Sequence, residues 1–466
     1  MQVNLAGYNI DSSLIKRLNT ETATPEVISA AYARISRSPK SVTELREEAL
    51  MELEKARKSN RNIIFELGHA SVAEHAVFNF DIIGISRLLT ETLETVRFAS
   101  FTEKSQRYVT FQNDYVVPSE LNEPRHESLK GAYIKLMDSL FNEYRESFEA
   151  LVKFHERETP GLSKLERECR AKEDARYILP LAAKTQLGMT INARSLENLL
   201  RRLAANPLQE AAELHAALLN LSQEVCPSLV RYTKKDSFSG TFSAQGINPG
   251  GDDFQDDENV RVVSLTPDPD DLILAALLFE QAQADMAHCR DTIADMDFDA
   301  KRELWRQVFA GIKPWHKMSR AFELVDLVFE LNMSESCWAQ FKRHRVGTLI
   351  KQTNPSIGPF TLPEEIFDLG REPQWGQLLE RLEKFRPKLR QVFPDLSAYI
   401  RVNSDKVKVL AKMNLRELYH FVRLRSDEHA QWEIRALSDW MANHLHVLCP
   451  NAAALLCGKS ELSGEL

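Results

Sequence analysis

The chain has 466 residues, room for two or three domains, each with its own core. Its formal charge is −8 with a pI near 5.9, which argues against a surface built to neutralise nucleic-acid phosphates. The six cysteines, Cys169, Cys226, Cys289, Cys337, Cys449 and Cys457, form no C-x-x-C pair. A disulfide framework or thiolate zinc site is therefore not expected, and a reducing cytoplasm is. Met1-Gln2-Val3-Asn4-Leu5 lacks the basic end and apolar run of a signal peptide, and no apolar stretch reaches the roughly 18 residues of a membrane span.

In chain order, Thr24 to Asn60 reads as helical, rich in Ala, Glu, Leu and Lys. Next, in Leu67-Gly68-His69-Ala70-Ser71-Val72-Ala73-Glu74-His75, Gly68 can end a helix, Ser71 can cap the next and Glu74 can complete a capping box. His69 and His75, six apart, do not share a helix face, so no metal pair is expected. An apolar run through Phe78, Phe80, Ile82 and Ile83 leads to Arg97-Phe98-Ala99-Ser100-Phe101-Thr102-Glu103-Lys104-Ser105-Gln106-Arg107-Tyr108. Its end, Glu103-x-Ser105-x-Arg107-Tyr108, suits a phosphate: a hydroxyl, a guanidinium and loop N–H groups can surround the anion while the carboxylate holds the loop.

Leu129 to Phe154 reads as helix, followed by Arg176-Tyr177-Ile178-Leu179-Pro180-Leu181 and then Asn192-Ala193-Arg194-Ser195-Leu196-Glu197-Asn198. Leu196, Leu199, Leu200 and Leu203 recur at helical spacing, with Arg194, Asn198 and Arg201 on another face. From 234 to 271 the composition shifts to Gly, Pro and Asp, predicting a linker between a domain over 1–233 and another over 272–466. The second half repeats the first in outline. A helical region from Leu272 to Gly311 leads to Gly311-Ile312-Lys313-Pro314-Trp315-His316. Gln340-Phe341-Lys342-Arg343-His344-Arg345 follows, and then Asn414-Leu415-Arg416. Asn192-x-Arg194-x-Leu196 and Asn414-x-Arg416-x-Leu418 are offset by 222 (414 − 192), and the pairs Cys226-Pro227 and Cys449-Pro450 by 223 (449 − 226). Two offsets so close argue for an internal duplication.

These stretches resemble the flavin-dependent thymidylate synthases (ThyX family), whose motif reads R-H-R-x-x-S-x-N-E-x-S-x-R-Y. The first half matches Ser100, Glu103, Ser105, Arg107 and Tyr108 but has Thr95-Val96 for the leading Arg-His and Thr102 for the Asn. The second half matches Arg343-His344-Arg345, then departs at Ile350, Lys351, Thr353 and Pro355. Leu424-Arg425-x-x-x-His429-Ala430-Gln431-Trp432-Glu433 matches a further family pattern, whereas Leu203 stands at the place of Arg425 in the first half. The resemblance implies an α+β fold: two ThyX-like domains in tandem, each helix-rich with a small antiparallel sheet. It implies a fused pseudo-dimer in which each half keeps what the other has lost.

On the same resemblance, dUMP is bound by Glu103, Ser105, Gln106, Arg107 and Arg176 from the first half. Gln340, Arg343 and Arg425 from the second half complete the set, with Arg425 also catalytic. FAD contacts carried over are His69, Ser71 and Glu74, then Asn192, Arg194 and Asn198. Arg343, His344, Arg345, Asn414, Arg416, His420 and His429 follow from the second half, with the copy that meets the flavin ring left open. The implied reaction makes dTMP from dUMP with methylenetetrahydrofolate and NADPH as co-substrates, in a homodimer of the fused chain. No metal, nucleic acid or membrane is implied. Thr102 and His420 depart from the pattern, so a related C5 modification such as hydroxymethylation stands as an alternative. A non-catalytic nucleotide-binding protein of the same fold is another.

Overall fold

The computed structural model describes residues 1–10, 24–34, 38–66, 70–235, 247, 259–353 and 359–462, the side chains of Phe65 and Glu66 excepted. His69 and Pro355, both singled out from the sequence, lie outside the described residues. The chain groups into two compact units, one of Met1–Asn248 with Pro363–Asn403, the other of Pro249–Leu362 with Ser404–Leu466. Two features differ from the boundaries that composition suggests. A strand, Val260–Leu265, already lies within the stretch 234–271, and residues 363–403 group with the first unit although they follow 272 in sequence.

The first unit is built on a four-stranded antiparallel sheet of β1 (Gln2–Tyr8), β2 (Val77–Ser86), β3 (Ala99–Glu103) and β4 (Lys184–Asn192), in the order β1-β2-β4-β3. Alternate side chains set one face into the core: Phe78, Phe80 and Ile82 of β2, and Leu187, Met189 and Ile191 of β4, are all buried. The helical stretch read from Thr24 to Asn60 resolves into Glu26–Arg34, Val42–Met51 and Leu53–Arg61. The helix Glu127–Glu158 carries Leu136, Leu140, Phe141, Tyr144 and Leu151 inward, at the spacing of one helix face.

The second unit has β5 (Val260–Leu265), β6 (Asp326–Ser334), β7 (Thr348–Lys351) and β8 (Lys406–Asn414) in the order β5-β6-β8-β7, again all antiparallel. The strand order is the same as in the first unit, which makes the duplication a fact of topology as well as of sequence. Here too the inward positions alternate, with Leu327, Phe329, Leu331 and Met333 buried on β6 and Val407, Val409, Ala411 and Met413 on β8.

The helix starts repeat as well. Ser86 ends β2 and caps the helix Arg87–Glu94, its Oγ accepting from the Leu89 N–H at 3.1 Å. Ser334 does the same after β6 for Glu335–Phe341, accepting from the Cys337 N–H at 3.0 Å. Each serine is latched by a glutamate on a later helix. Glu210 accepts from the Ser86 N–H at 2.7 Å and hydroxyl at 2.6 Å; Glu433 accepts from the Ser334 N–H at 2.8 Å and hydroxyl at 2.5 Å. The serines are offset by 248 (334 − 86) and the glutamates by 223 (433 − 210). Glu433, the last residue of the family-like closing pattern, is thus a structural latch.

Candidate active site

In the first unit the stretch after β3 lies beside the turn that follows the helix Lys164–Ala175. Glu103 ends β3 with its side chain buried, and its Oε1 accepts from Arg87 Nη1 at 2.7 Å, so this carboxylate ties the end of the strand to the start of the helix Arg87–Glu94. Ser105 Oγ accepts from the Arg107 N–H at 3.1 Å. The Arg107 guanidinium pairs with Glu173. Arg176 is only 6% exposed; its Nε donates to the Glu173 carbonyl at 3.2 Å, and its Nη2 has no partner among the described residues. Burial lowers its pKa, and the nearby Arg107 and Arg87 act in the same direction.

Gln106, 4% exposed, accepts at Oε1 from Asn403 Nδ2 at 3.0 Å, and its Nε2 likewise has no partner among the described residues. The site therefore holds two buried donors, Arg176 Nη2 and Gln106 Nε2, with no partner among the described residues. Leaving such groups unpaired costs roughly 1–3 kcal/mol each, so the arrangement suits an incoming anion.

In the second unit Gln340, His344 and Arg425 gather about the helix Leu415–Arg425 and the end of Glu335–Phe341. Arg425 Nε donates to His344 Nε2 at 3.0 Å, and its Nη2 lies 3.4 Å from the Gln340 carbonyl. Because Nε2 accepts, the proton of neutral His344 sits on Nδ1, 3.8 Å from Glu417 Oε1. Burial pushes the His344 pKa below the ordinary histidine value; Arg425 adds to this, while Glu417 pulls the other way. Gln340 is buried and donates to Gln431 Oε1 at 3.3 Å. Arg343 is exposed and Arg345 half-buried in the following turn, and His429 is exposed, its N–H held by Asp427 at 3.2 Å.

Two cavities occupy equivalent places in the repeats. The one in the second unit, about 610 Å³, is lined by the apolar side chains Trp315, Met318, Tyr419 and Leu424 together with Asn414, Arg416, Glu417, His420 and Arg423. Asn414 caps its helix by accepting from the Glu417 N–H at 2.9 Å, and Arg416 donates to the Met318 carbonyl at 2.7 Å and to Glu323 at 2.9 Å. The counterpart in the first unit, about 450 Å³, is lined by Val96, Arg97, Phe98, Asn198, Arg201 and Arg202 among others. Elsewhere in that unit Asn192 caps its helix through the Ser195 N–H at 2.8 Å and Arg194 pairs with Glu74 at 2.5 Å, while Asn198, on the cavity, accepts from Arg201. Ser71 lies inside the short 3-10 turn Ala70–His75, not at the cap position read from the sequence.

The structure thus brings Gln106, Arg107 and Arg176 together in one unit and Gln340, His344 and Arg425 together in the other. Sequence reading missed Glu173, which pairs with Arg107, and Asn403, which touches both Gln106 and the Arg176 backbone. No periodicity marks either residue. Only an acidic position on the helix before Arg176 hinted at the first.

Known proteins share much of this chain. The flavin-dependent thymidylate synthase of Clostridium tetani is 32% identical over 223 residues, 47% of this chain and 86% of its own length. That of Geobacter sulfurreducens is 32% identical over 233 residues, 49% of this chain and 90% of its own. A UPF0159 protein of Chlamydia muridarum is 24% identical over 420 residues, 84% of this chain and 79% of its own, so it runs across both repeats. Among solved structures, Helicobacter pylori ThyX complexed with FAD and dUMP aligns with 50% of this chain and 100% of its own, at 21% identity and a TM-score of 0.34. The thymidylate synthase complementing protein family (Thy1) matches twice, over residues 17–228 and 261–451. With the same sheet and the same capped helices present in each half, the chain belongs to the thymidylate synthase complementing protein family, its domain duplicated in tandem.

Proposed function

We propose that this chain is a flavin-dependent thymidylate synthase that converts dUMP to dTMP, with FAD as cofactor and methylenetetrahydrofolate and NADPH as co-substrates. The observation that carries the reading is the division of labour between the repeats. The first keeps a buried donor cluster, and the second keeps an arginine braced by a histidine, each at the place where the other has lost it. A complete set of dUMP-binding residues exists only when both contribute, from one chain or from two copies in a homodimer.

In this reading the dUMP phosphate accepts from Gln106 Nε2 and Arg176 Nη2, with Arg107 adding positive charge and Ser105 and Glu103 fixing the loop. Arg425 stabilises the negative charge that develops on the uracil ring, and Gln340 and Arg343 orient the nucleotide beside it. His344 aims the guanidinium without adding a second cation, because it is neutral. FAD, when bound, supplies the hydride that completes the methyl group. The second-unit cavity suits a flavin ring by the chemistry of its lining: apolar side chains such as Trp315 and Met318, with Asn414, Arg416 and His420 as polar partners. Arg345 and His429 flank that set in sequence. Ser71, Glu74, Asn192, Arg194 and Asn198 are the first-unit residues of the same reading, of which Asn198 lines the first-unit cavity.

Among the described residues no helix is long and apolar enough to cross a membrane, and all six cysteines are free thiols. A cytoplasmic enzyme accords with both. The decisive experiment is spectroscopic: purified protein should carry flavin bands. Its reduced form should be oxidised on adding dUMP and methylenetetrahydrofolate, with dTMP identified by mass. Colourless protein that makes no dTMP after FAD is supplied would sink the reading.

A further inference from the structure

The backbone of residues 399–403 lies antiparallel along 179–182, just after Arg176. Leu181 N–H donates to the Arg401 carbonyl at 2.7 Å, Ala182 N–H to Tyr399 at 2.9 Å and Asn403 N–H to Leu179 at 2.9 Å. Pro180 and Val402, equivalent positions of the two repeats (402 − 180 = 222), form a bridge with each other. This pairing delivers the Asn403 side chain, 2% exposed, into the donor cluster.

Asn403 Nδ2 donates to the Arg176 backbone carbonyl at 2.8 Å and to Gln106 Oε1 at 3.0 Å. A backbone carbonyl can only accept, so the first bond fixes which end of the Asn403 amide faces the cluster. That end is a donor, so the Gln106 atom facing it must be the carbonyl oxygen. The Gln106 amide is then locked with Nε2 pointing the other way, unpartnered, in the same cluster as the unpartnered Arg176 Nη2.

We propose that Asn403 is a positioning residue that sets the polarity of the anion site. By holding Gln106 in one of its two amide orientations, it leaves the Gln106 amino group, not its carbonyl, as the unpartnered end. The chemistry selected is a phosphate-type anion. Without the lock, Gln106 can turn its carbonyl toward the anion and repel it. The residue is carried by sequence that follows the R-H-R-like motif of the second repeat, yet it serves the loop of the first. The inference rests on the dUMP reading above for the identity of the ligand and on the hydrogen-bond pattern alone for the selection of an anion.

The test uses the full-length chain, with Asn403→Asp and Asn403→Ala, titrated by calorimetry with dUMP and separately with inorganic phosphate. A carboxylate at this position offers only acceptors, so Asn403→Asp draws in the Gln106 amino group and turns its carbonyl outward. We expect anion affinity to fall roughly 10- to 100-fold. Asn403→Ala merely frees the amide, and we expect a smaller loss. A purely structural role would instead make the truncation to alanine at least as harmful as the near-isosteric aspartate, with affinity following melting temperature. Equal affinity in wild type and a folded Asn403→Asp variant, or an alanine loss as large as the aspartate loss, would overturn the proposal. Wild type that binds phosphate but not dUMP would instead overturn the nucleotide reading, leaving the order of the two variants on phosphate to decide the role of Asn403. Binding of neither ligand would overturn both.

Discussion

In the second repeat a buried histidine stands between an arginine and a glutamate: Arg425, His344 and Glu417. At the equivalent places of the first repeat stand Leu203, Val96 and Ser195, and both apolar side chains are buried there. The equivalences follow from offsets of 222 (425 − 203 and 417 − 195) and 248 (344 − 96), the second being the offset of the capping serines. The repeats differ at all three positions. One missing polar partner would leave the others buried and unpaired, whereas replacing the whole set leaves an ordinary core. The loop after the third strand differs in the opposite sense. The first repeat keeps Ser105, Gln106 and Arg107, where the second has Thr353 and residues outside the described set. The differences between the copies are therefore grouped by region.

The largest effect that can break this comparison is on turnover. Arg425→Ala should lower dUMP-dependent flavin oxidation by about 100- to 1,000-fold, since it removes the charge that meets the developing anion. Stopped-flow measurement on the reduced enzyme reads this directly. Arg202→Ala, one position from the lost equivalent, should leave the rate unchanged. Equal damage from the two would mean that the repeats are not functionally divided.

Next in size is the attempt to rebuild the lost set. Leu203 is fully buried, so Leu203→Arg alone should cost about 3–5 kcal/mol, as an unpaired buried charge does. Adding Val96→His and Ser195→Glu should recover part of that loss, because the second repeat shows that the fold accommodates the trio. Urea midpoints would show it. A triple variant no more stable than Leu203→Arg would mean that the two environments differ beyond these three side chains.

A second pair sharpens the comparison by reversing sign rather than vanishing. Arg87 and Glu103 pair at 2.7 Å in the first repeat, and their equivalents, Glu335 and Lys351, pair at 2.7 Å in the second (335 − 87 = 351 − 103 = 248). Both pairs are largely buried, joining the start of a helix to the third strand of the sheet. Glu103→Lys should then destabilise by about 3 kcal/mol, and the double change Arg87→Glu with Glu103→Lys should restore most of it. Denaturant unfolding of the four proteins closes the cycle; additive effects would show the pairs to be independent charges.

This reversal explains why some of the molecule was legible in the sequence and some was not. The offsets of Asn192 with Asn414 and of the Cys-Pro pairs announced the duplication, and the sheet orders bear it out. Position by position, however, Lys351 in place of Glu103 reads as a lost ligand, because nothing local tells that Glu335 changed with it. Asn192 and Asn414 were legible as a repeated motif, but their helix-capping role needed the strand-to-helix junction to be seen. Asn403 was illegible for a different reason. Its partners are 227 and 297 positions away, and no pattern within residues 358–401 signals that the segment joins the first unit.

The smallest expected effect concerns acid. His344 in the second repeat and His155 in the first are both buried, and burial is the leading cause that depresses each pKa. The His344 ring faces Glu417, Arg425 and His420, while His155, neither of whose ring nitrogens has a partner among the described residues, feels Glu365 and Arg170. A histidine held neutral in the fold takes up its proton more readily when unfolded. Between the folded pKa and the ordinary value of 6.5, the unfolded chain therefore binds more protons, and stability falls as pH is lowered. Above that window neither ring contributes a slope. His344→Phe should flatten part of the loss seen by urea unfolding between pH 7 and pH 5, and His155→Phe a separate part, the two adding because they sit in different units. A variant profile parallel to wild type through that range would show that the ring concerned titrates alike in the folded and unfolded chain. For His344 it would also remove the argument that Arg425 is braced by a neutral partner.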